Sequence, residues 1–282
     1  MILGRSESRH QATTLIGRLF ATTSGKVGAI VTLIVLLVAI FADVLAPYDP
    51  LSPIGPSLSP PTREHLMGTD ALGRDLLSGV IHGARTSMVI ALSVGAVAMV
   101  IGVLVGGISG YAGGRLDDIL MRFTEIVQVL PRFFLAILAV AFFGPGLLTL
   151  ILVLGLTSWV ILARVIRAEV LSLRAREFVD SALTQGARGS RVLFREILPN
   201  AIPVGIIYLA LLLAFIILIE ASLGFLGLGD PNAISWGFLA GQAQQFLRVA
   251  WWLSVFPGLA ITATVLGLNL LGDGLTDALG RR

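Results

Sequence analysis

Charged and amide side chains beside long apolar segments are the residues of this chain best suited to chemistry. Four of them open one apolar segment: Arg122, Glu125, Gln128 and Arg132. Their successive spacings of three, three and four residues predict one face of a helix. Because charge at bilayer depth is costly and often marks a transport pathway, this polar stripe is a candidate lining of a translocation path. The alternative is an ion pair that only holds helices together, such as Arg122 with Glu125.

Two charged positions fall within apolar segments rather than beside them. Apolar sequence follows Arg132 only as far as Phe143, which is about 16 Å of helix at 1.5 Å per residue. A span must therefore begin well before Arg132, which places this side chain roughly 10 Å inside the membrane. Glu220 falls near the outer end of a later segment, where it either lines an external gate or pairs locally.

The residue types that enzymes and metal sites use most are absent from the apolar segments. There is no cysteine, and the three histidines, His10, His65 and His82, are far apart. Disulfides and a histidine-rich metal site are therefore not expected, and an intramembrane protease would lack its base or its metal ligands. The chain also has no phosphate loop ending in Gly-Lys-Ser/Thr. We expect a non-catalytic protein without a cofactor; any ATP and Mg²⁺ that drive it must bind to another subunit.

The composition predicts a protein that lies in a lipid membrane. Of the 282 residues, 56% are hydrophobic and 13% are charged, whereas about a quarter of a soluble domain is charged. Backbone hydrogen bonding in lipid favours helices, so we expect an all-α, polytopic membrane protein. The net charge of +3 is too small to suggest nucleic acid as a partner. Six stretches have the roughly 20 apolar residues that a spanning helix needs: Val27–Ala46, Ser87–Tyr111, Glu125–Phe143, Leu147–Ile166, Ala201–Leu223 and Ala250–Leu271.

Lys and Arg are divided unevenly between the two sides of these six spans. The side with both termini holds Arg5, Arg9, Arg18, Lys26, Arg115, Arg122, Arg164, Arg167, Arg174, Arg176, Arg188, Arg191, Arg195, Arg281 and Arg282. The other side holds only Arg63, Arg74, Arg85 and Arg248. The positive-inside bias therefore predicts that both termini are cytoplasmic. The expected organisation is a cytoplasmic N-terminal segment, 1–26, and a membrane domain, 27–282, with external loops 47–84 and 224–249 and a cytoplasmic loop 167–200.

Small residues and prolines within the spans predict helix contacts and kinks. Gly102, Gly106 and Gly110 recur every four residues, which favours close packing of a second helix along this stripe. Three prolines, Pro131, Pro203 and Pro257, lie within spans and predict static kinks; the alternative is that they are hinges for alternating access.

The cytoplasmic loop has the pattern of a short helix–turn–helix. Glu177 and Asp180 lie at the start of a short helical pattern, where acidic side chains suit the positive end of the helix dipole. Gly186 allows a turn, and a second helical pattern begins near Arg188. Pro199 marks a break before the next span. The alternative is an ordinary solvated loop that only follows the positive-inside bias.

The same loop resembles the Glu-Ala-Ala motif in permeases of ATP-binding cassette (ABC) importers. The corresponding residues are Asp180-Ser181-Ala182, then Gly186, then Ile197-Leu198-Pro199. The loop departs from the family pattern in Asp for Glu, in Ser for the first Ala, and in lacking a residue between the isoleucine and the leucine. In that family the loop forms the coupling helix, which docks into a groove on the ATP-hydrolysing subunit. The resemblance implies an interface built from Glu177, Asp180, Ala182, Gly186 and Arg188.

Further strings extend the resemblance along most of the chain. They are Phe41-Ala42-Asp43-Val44-Leu45-Ala46-Pro47-Tyr48-Asp49-Pro50, Met67-Gly68-Thr69-Asp70-Ala71-Leu72-Gly73-Arg74-Asp75, Gly83-Ala84-Arg85-Thr86-Ser87 and Glu220-Ala221-Ser222-Leu223-Gly224-Phe225-Leu226-Gly227-Leu228-Gly229. These strings are similar to those of the second permease subunit of dipeptide, oligopeptide, nickel and glutathione importers. The resemblance implies the type I ABC importer permease fold in a bacterial inner membrane. Arg132 is less typical of that family, which makes it a candidate for recognising the cargo.

The resemblance also implies an assembly of several subunits. The expected partners are a homologous permease subunit, two ATP-binding subunits and an extracytoplasmic solute-binding protein that delivers the cargo. Di- or oligopeptides are the expected cargo, with glutathione and nickel chelates as alternatives. A carrier coupled to an ion gradient would need carboxylates near the membrane midplane, usually with inverted repeats, and the sequence has neither.

Overall fold

Helices joined by turns and loops form the whole of the described structure. The computed structural model describes Gly17 and residues 19–280. In this part of the chain there is no β-strand, only an isolated bridge between Thr69 and Asp75, which confirms the expected all-α class. Six positions named in the sequence analysis lie outside the described residues: Arg5, Arg9, His10, Arg18, Arg281 and Arg282. The helices are α1 Thr23–Ile40, α2 Ala42–Leu45, α3 Leu76–Ala112, α4 Gly114–Val129, α5 Arg132–Phe143, α6 Leu147–Arg174, α7 Glu177–Thr184, α8 Gly189–Phe225, α9 Trp236–Ala243 and α10 Trp252–Gly280.

Five helices, α1, α3, α6, α8 and α10, are long and apolar enough to cross a membrane. The pair α4 and α5 passes the same criterion together but is bent by 74° at its break. Counted as one broken span, this pair brings the total to the six that the sequence predicts. The side that carries α7 is the predicted cytoplasmic side and is called the inner side; the opposite side is the outer side.

The break between α4 and α5 contradicts the prediction of one continuous third helix. Leu130 has an extended backbone (φ −71°, ψ 123°), and Pro131 follows it. Proline cannot donate a backbone hydrogen bond and disfavours helical geometry in the residue before it, so the helix ends at Val129. Arg132 therefore begins a new helix, and the prediction that it shares a helical face with Gln128 is wrong. Pro203, by contrast, lies inside α8 without ending it.

Several helices extend beyond the predicted spans. Helix α3, the second span, begins at Leu76 and not at the predicted Ser87. The Asp75 side chain caps it by accepting a hydrogen bond from the Ser78 N–H at 2.8 Å. Its 37 residues make about 55 Å of helix, longer than a hydrocarbon core of about 30 Å. The predicted external loop 47–84 therefore ends earlier, and the second external loop contains α9.

The glycine stripe of α3 brings its backbone into contact with that of α6. A Cβ atom at Gly106 would lie 2.3 Å from the Ala163 carbonyl oxygen, and one at Gly102 would lie 2.7 Å from the Leu162 Cβ. At Gly110 it would lie 2.8 Å from the Arg167 carbonyl oxygen. The structure thus confirms the predicted close packing, since no side chain larger than glycine fits along this line.

We expect Gly106→Ala to destabilise the folded protein by about 1–3 kcal/mol, because its methyl group would force α3 and α6 apart. The matched control is Gly258→Ala in α10, where a Cβ would meet no atom within 4 Å. The measurement is the apparent melting temperature of the purified protein in detergent. Equal melting temperatures for the two variants would contradict the close backbone contact.

Candidate functional site

The predicted helix–turn–helix on the inner side is present, and apolar side chains pack it against the membrane helices. We call residues 177–197, which comprise α7, the following turn and the start of α8, the inner hairpin. Val179 of α7 is 1% exposed and lies in an apolar cluster with Val192 and Ile197 of α8 and with Ile166 and Val170 of α6. Burial of these side chains fixes the inner hairpin to the membrane helices, so it is not a freely solvated loop.

Backbone geometry explains the glycine in the turn of the inner hairpin. Gly186 has φ +82°, the left-handed region that glycine adopts without strain. Its N–H donates to the Leu183 carbonyl at 2.9 Å, and the Ala187 N–H donates to the Ala182 carbonyl at 3.1 Å. These two bonds form a Schellman motif, which ends α7. A Cβ at Gly186 would meet no atom within 4 Å, so the requirement for glycine is conformational and not steric.

The outward face of the inner hairpin is polar and open. Glu177, Asp180, Ser181, Thr184 and Gln185 line a shallow hollow on this face. Among the other predicted interface residues, Gly186 and Arg188 are exposed. Ala182 is half-buried and packs inward against the apolar cluster. The hairpin therefore combines an apolar underside with a hydrogen-bonding upper surface.

An ion pair that the sequence analysis missed ties three helices together beneath the inner hairpin. Arg167 of α6 donates from Nε and Nη2 to the two carboxylate oxygens of Asp117 of α4, each at 2.6 Å. The Ser109 hydroxyl of α3 donates to the same carboxylate. Such paired, charge-assisted bonds are strong and directional. Arg167 entered the sequence analysis only as a cytoplasmic charge, and its partner is far away in sequence, so spacing gave no signal.

The end of α3 contacts the inner hairpin directly. The guanidinium of Arg174 lies over the Tyr111 ring, 5.5 Å from its centroid. Gly189, where α8 begins, lies against the Tyr111 hydroxyl, and a Cβ there would be 3.0 Å away. Tyr111 thus joins the inner end of α3 to the end of α6, through Arg174, and to the inner hairpin, through Gly189.

The polar stripe of α4 and α5 is divided by the helix break. Arg122, Glu125 and Gln128 lie on α4 with exposed side chains. Glu125 lies 3.9 Å from Arg164 of α6, and both side chains are largely exposed. The suggested pair of Arg122 with Glu125 is therefore not formed. Arg132 lies beyond the break, and its guanidinium is 5.9 Å from the centroid of the Phe215 ring.

Glu220 is buried at the outer end of α8 and pairs locally. It is 1% exposed, and the Ser87 hydroxyl of α3 donates to its Oε2 at 3.0 Å. The hydroxyl of Ser235 is a further hydrogen-bond partner of the carboxylate. Ser235 also caps α9 by accepting from the Phe238 N–H at 3.2 Å. The carboxylate thus joins α3, α8 and the start of α9, and in this conformation it lines no open surface.

Small residues let α9 approach the carboxylate of Glu220. A Cβ at Gly237 would lie 2.6 Å from the Ala221 Cα, and one at Gly224 would lie 2.8 Å from the Gly237 carbonyl carbon. A Cβ at Gly83 would lie 2.8 Å from the Trp236 ring. The close fit explains the small residues Ala221 and Gly224 in the string that begins at Glu220.

Buried polar side chains hold the outer segment, which comprises residues 46–75 between α2 and α3. His65 Nδ1 lies 3.1 Å from Asp75, the residue that caps α3, and both side chains are buried. The Ser78 hydroxyl donates to the same carboxylate at 2.7 Å. Trp252 Nε1, at the start of α10, donates to the Thr69 carbonyl at 3.2 Å. This segment is therefore part of the folded structure.

Arg85 attaches the first span to α3 on the outer side. Its Nε donates to the Ala39 carbonyl at 3.0 Å, which satisfies one of the free carbonyls at the end of α1. Its two terminal nitrogens bind the carboxylate of Asp43 at 2.8 and 2.9 Å. These hydrogen bonds hold the pKa of Asp43 below its ordinary value. All four outer strings of the sequence resemblance thus contribute to one connected set of contacts.

Comparison with known proteins identifies the family. The profile described as "Binding-protein-dependent transport system inner membrane component" matches residues 98–282. The chain belongs to this family of transport permeases.

Similar permeases cover almost the whole chain. The oligopeptide transport system permease protein OppC of Bacillus subtilis is 38% identical over 255 residues, 90% of this chain and 84% of that protein. The di/tripeptide transport system permease protein DppC of Pseudomonas aeruginosa is 38% identical over 269 residues, 92% of this chain and 89% of that protein. The dipeptide transport system permease protein DppC of Bacillus subtilis is 38% identical over 258 residues, 89% of this chain and 81% of that protein. The predicted family is confirmed.

Among residues 19–280, no three His, Cys, Asp or Glu side chains come together as potential ligands. The buried carboxylates instead bind serine hydroxyls, arginine or histidine of the same chain.

We expect Glu220→Ala to destabilise the permease by about 1–3 kcal/mol, because the Ser87 and Ser235 hydroxyls would lose their acceptor in a buried site. Glu220→Gln keeps the size and one acceptor oxygen and should lose less. The control is Glu64→Ala, an exposed outer position. Thermal unfolding of the purified permease measures the difference, and an alanine variant as stable as the control would refute the bridging role.

Proposed function

We propose that this permease forms, with a homologous permease chain, the translocation path of an ATP-driven peptide importer. Two ATP-binding subunits lie on the inner side, and an extracytoplasmic solute-binding protein delivers the cargo. The chain itself is non-catalytic, and ATP and Mg²⁺ bind to the partner subunits. The observation that carries the proposal is the inner hairpin, whose polar face is open while its underside is fixed to three membrane helices.

The inner hairpin has the properties that transmission of force from a motor subunit requires. Glu177 and Asp180 offer charged contacts on the exposed face of α7, and Arg188 lies beyond the turn. Gly186 allows the turn of the hairpin, and Ala182 packs against the apolar cluster beneath it. The hairpin continues without interruption into α8, through a π-helical turn at Val192–Ile197.

Movement of the inner hairpin would reach the outer side through α8. This helix carries Phe215 near the broken span and Glu220 at the contact with α9. A π-turn is a frequent site of local adjustment in helices, which suits a junction that transmits motion. In the proposed cycle, ATP-dependent displacement of the hairpin changes the position of α8 and opens the path to one side at a time.

The proposed path is lined by four polar side chains of the broken span, of which three are exposed and Arg132 is half-buried. They are Arg122, Glu125, Gln128 and Arg132, of which the first three lie on α4 and the last on α5. Water in the path would solvate these groups, which lipid would not. Glu220 supports the outer end of the path by holding α9 in place. The remaining faces of the spans meet lipid and the homologous permease chain.

Peptides are the proposed cargo because the relatives named above are oligopeptide, di/tripeptide and dipeptide permeases. Glutathione and nickel chelates are the alternative cargoes from the sequence. The proposed location is the bacterial inner membrane, with the termini and the inner hairpin in the cytoplasm.

Reconstitution tests the function and labelling tests the orientation. Vesicles that contain this permease, its homologous partner and both ATP-binding subunits should take up labelled trialanine only when ATP and the solute-binding protein are present. Vesicles with this permease alone should take up none.

Because the chain lacks cysteine, Gln185→Cys adds a single thiol, which an impermeant maleimide should reach only from the cytoplasmic side. Labelling from outside intact cells would overturn the orientation.

We expect Asp180→Lys to lower ATP-dependent uptake about tenfold, since reversal of one charge at an interface typically costs 1.4 kcal/mol or more. The control is Asp277→Lys, which reverses an exposed charge at the inner end of α10. Uptake and ATP hydrolysis should be measured in the same vesicles, because uncoupling lowers uptake more than hydrolysis. Equal uptake by the two variants would exclude α7 as the docking element.

Gly186→Ala should also impair coupling, because a left-handed conformation costs a non-glycine residue about 1–2 kcal/mol. Gly186→Asn is the matched variant, since asparagine tolerates this conformation better. We expect uptake to decrease in the order Gly, Asn, Ala at unchanged yield of the assembled complex. A wild-type rate for the alanine variant would show that the turn geometry does not matter for coupling.

A further inference from the structure

Arg132 is a cation at the break in the broken span. It begins α5, whose twelve residues make about 18 Å of mostly apolar helix. Among residues 19–280, no carboxylate forms an ion pair with this guanidinium. Glu125 lies near Arg164 instead, and Glu220 is bound to Ser87. The charge is thus left without a counterion where one is most needed.

The position of Arg132 at the start of a helix does not stabilise its positive charge. It occupies the first residue of α5, and a positive charge at a helix N-terminus is opposed by the helix dipole. Its Cζ lies over the Phe215 ring, 5.9 Å from the ring centroid, which is within the range of a cation–π interaction. A guanidinium beside an aromatic ring can still bind a carboxylate through two hydrogen bonds.

An apolar hollow adjoins the same phenylalanine. Its volume is about 250 Å³, and α6 and α8 supply its lining. The lining residues are Ile161, Leu162, Tyr208, Leu211, Leu212 and Phe215. The Tyr208 side chain is 40% exposed, and its hydroxyl has no hydrogen-bond partner among the residues that the structure describes. The volume suits one or two small side chains next to a carboxylate.

We infer that Arg132, Phe215 and Tyr208 form a transient subsite for the carboxylate end of the cargo, with the neighbouring side chain of the cargo in the apolar hollow. This inference rests on the proposed function and adds to it the part of the cargo that the path recognises. A free carboxylate satisfies the unpaired guanidinium, while the Tyr208 hydroxyl is available to a peptide group. The subsite is weak by construction, because only one charged group and one exposed hollow hold the ligand. Weak binding suits a path from which cargo must leave.

Paired cargoes test the subsite in the complete importer with its binding protein. The cargoes are trialanine and trialanine amide, each used at a concentration that saturates the binding protein. Arg132→Gln should lower uptake of trialanine about 10- to 100-fold, the effect of losing a charge-assisted hydrogen bond. Uptake of the amide should change less than twofold. Arg115→Gln, at an exposed position near the inner end of α4, is the control and should leave both rates unchanged.

Other outcomes of this experiment overturn the inference in distinguishable ways. An equal loss for both cargoes, with a reduced yield of the complex, would mean that Arg132 pairs with an acidic residue of the homologous permease chain. Unchanged uptake of both would exclude any recognition role. Absence of ATP-dependent uptake by the wild-type complex would instead refute the proposed function. If Arg132→Gln fails to assemble, Arg132→Lys keeps the charge and should still lower uptake of the acid more than of the amide.

Thiol protection supplies a second measurement that does not require transport of the amide. Tyr208→Cys places a single thiol beside the hollow in this cysteine-free chain. During ATP turnover, trialanine should slow its reaction with a small maleimide at least threefold, and trialanine amide should not. The protection should disappear when Arg132→Gln is combined with Tyr208→Cys. Equal protection with and without Arg132 would overturn the inference.

Discussion

The close approach of the α3 and α6 backbones is the contact on which the other parts of the structure depend. Glycine at positions 102, 106 and 110 lets the backbone of α3 lie directly against α6. With α3 held in this way, polar side chains at its start and along its length bind several other parts of the chain. Asp75, Arg85 and Ser87 hold the outer segment, α1 and α8 respectively, and Ser109 meets Asp117 at the inner end. Helix α3 is therefore the fixed element relative to which the inner hairpin would move.

Most buried polar side chains of the described residues find a partner within the protein, because lipid provides none. Glu220 finds hydroxyl groups and Asp117 finds arginine and serine. Three buried polar atoms in this part of the chain have no hydrogen-bond partner: Thr32 Oγ1, Arg74 Nε and Ser158 Oγ. Arg132 differs from all of these, because it is a half-buried charge beside an aromatic ring at the break between α4 and α5, where the proposed path would bring cargo. The contrast separates groups that hold the bundle together from the group proposed to bind cargo.

Hydropathy and turn chemistry predicted much of this architecture, and long-range pairing did not follow from them. The apolar stretches identified the spans, and Gly186 identified the turn of the inner hairpin, because both signals are local. Pro131 was expected to kink a helix but ends one, since the extended Leu130 adds to the missing hydrogen bond. The pairing of Asp117 with Arg167 joins helices that are distant in sequence, so no spacing rule detects it. The burial of Glu220 depends on α9, a helix that the apolar pattern did not separate from its loop.

The contact between the first and last helices has a consequence for synthesis of the protein. Gly28 of α1 lies against the backbone of α10 at Leu271, and Gly267 of α10 lies against Val31, so that the ends of the chain meet in the bundle. The ribosome makes α1 before α10. The earlier helix must therefore remain in lipid until its neighbour is inserted. Its sequence suits this delay, because the segment Val27–Ile40 contains no charged residue. The contact between α1 and α10 can form only after all the helices between them have been made.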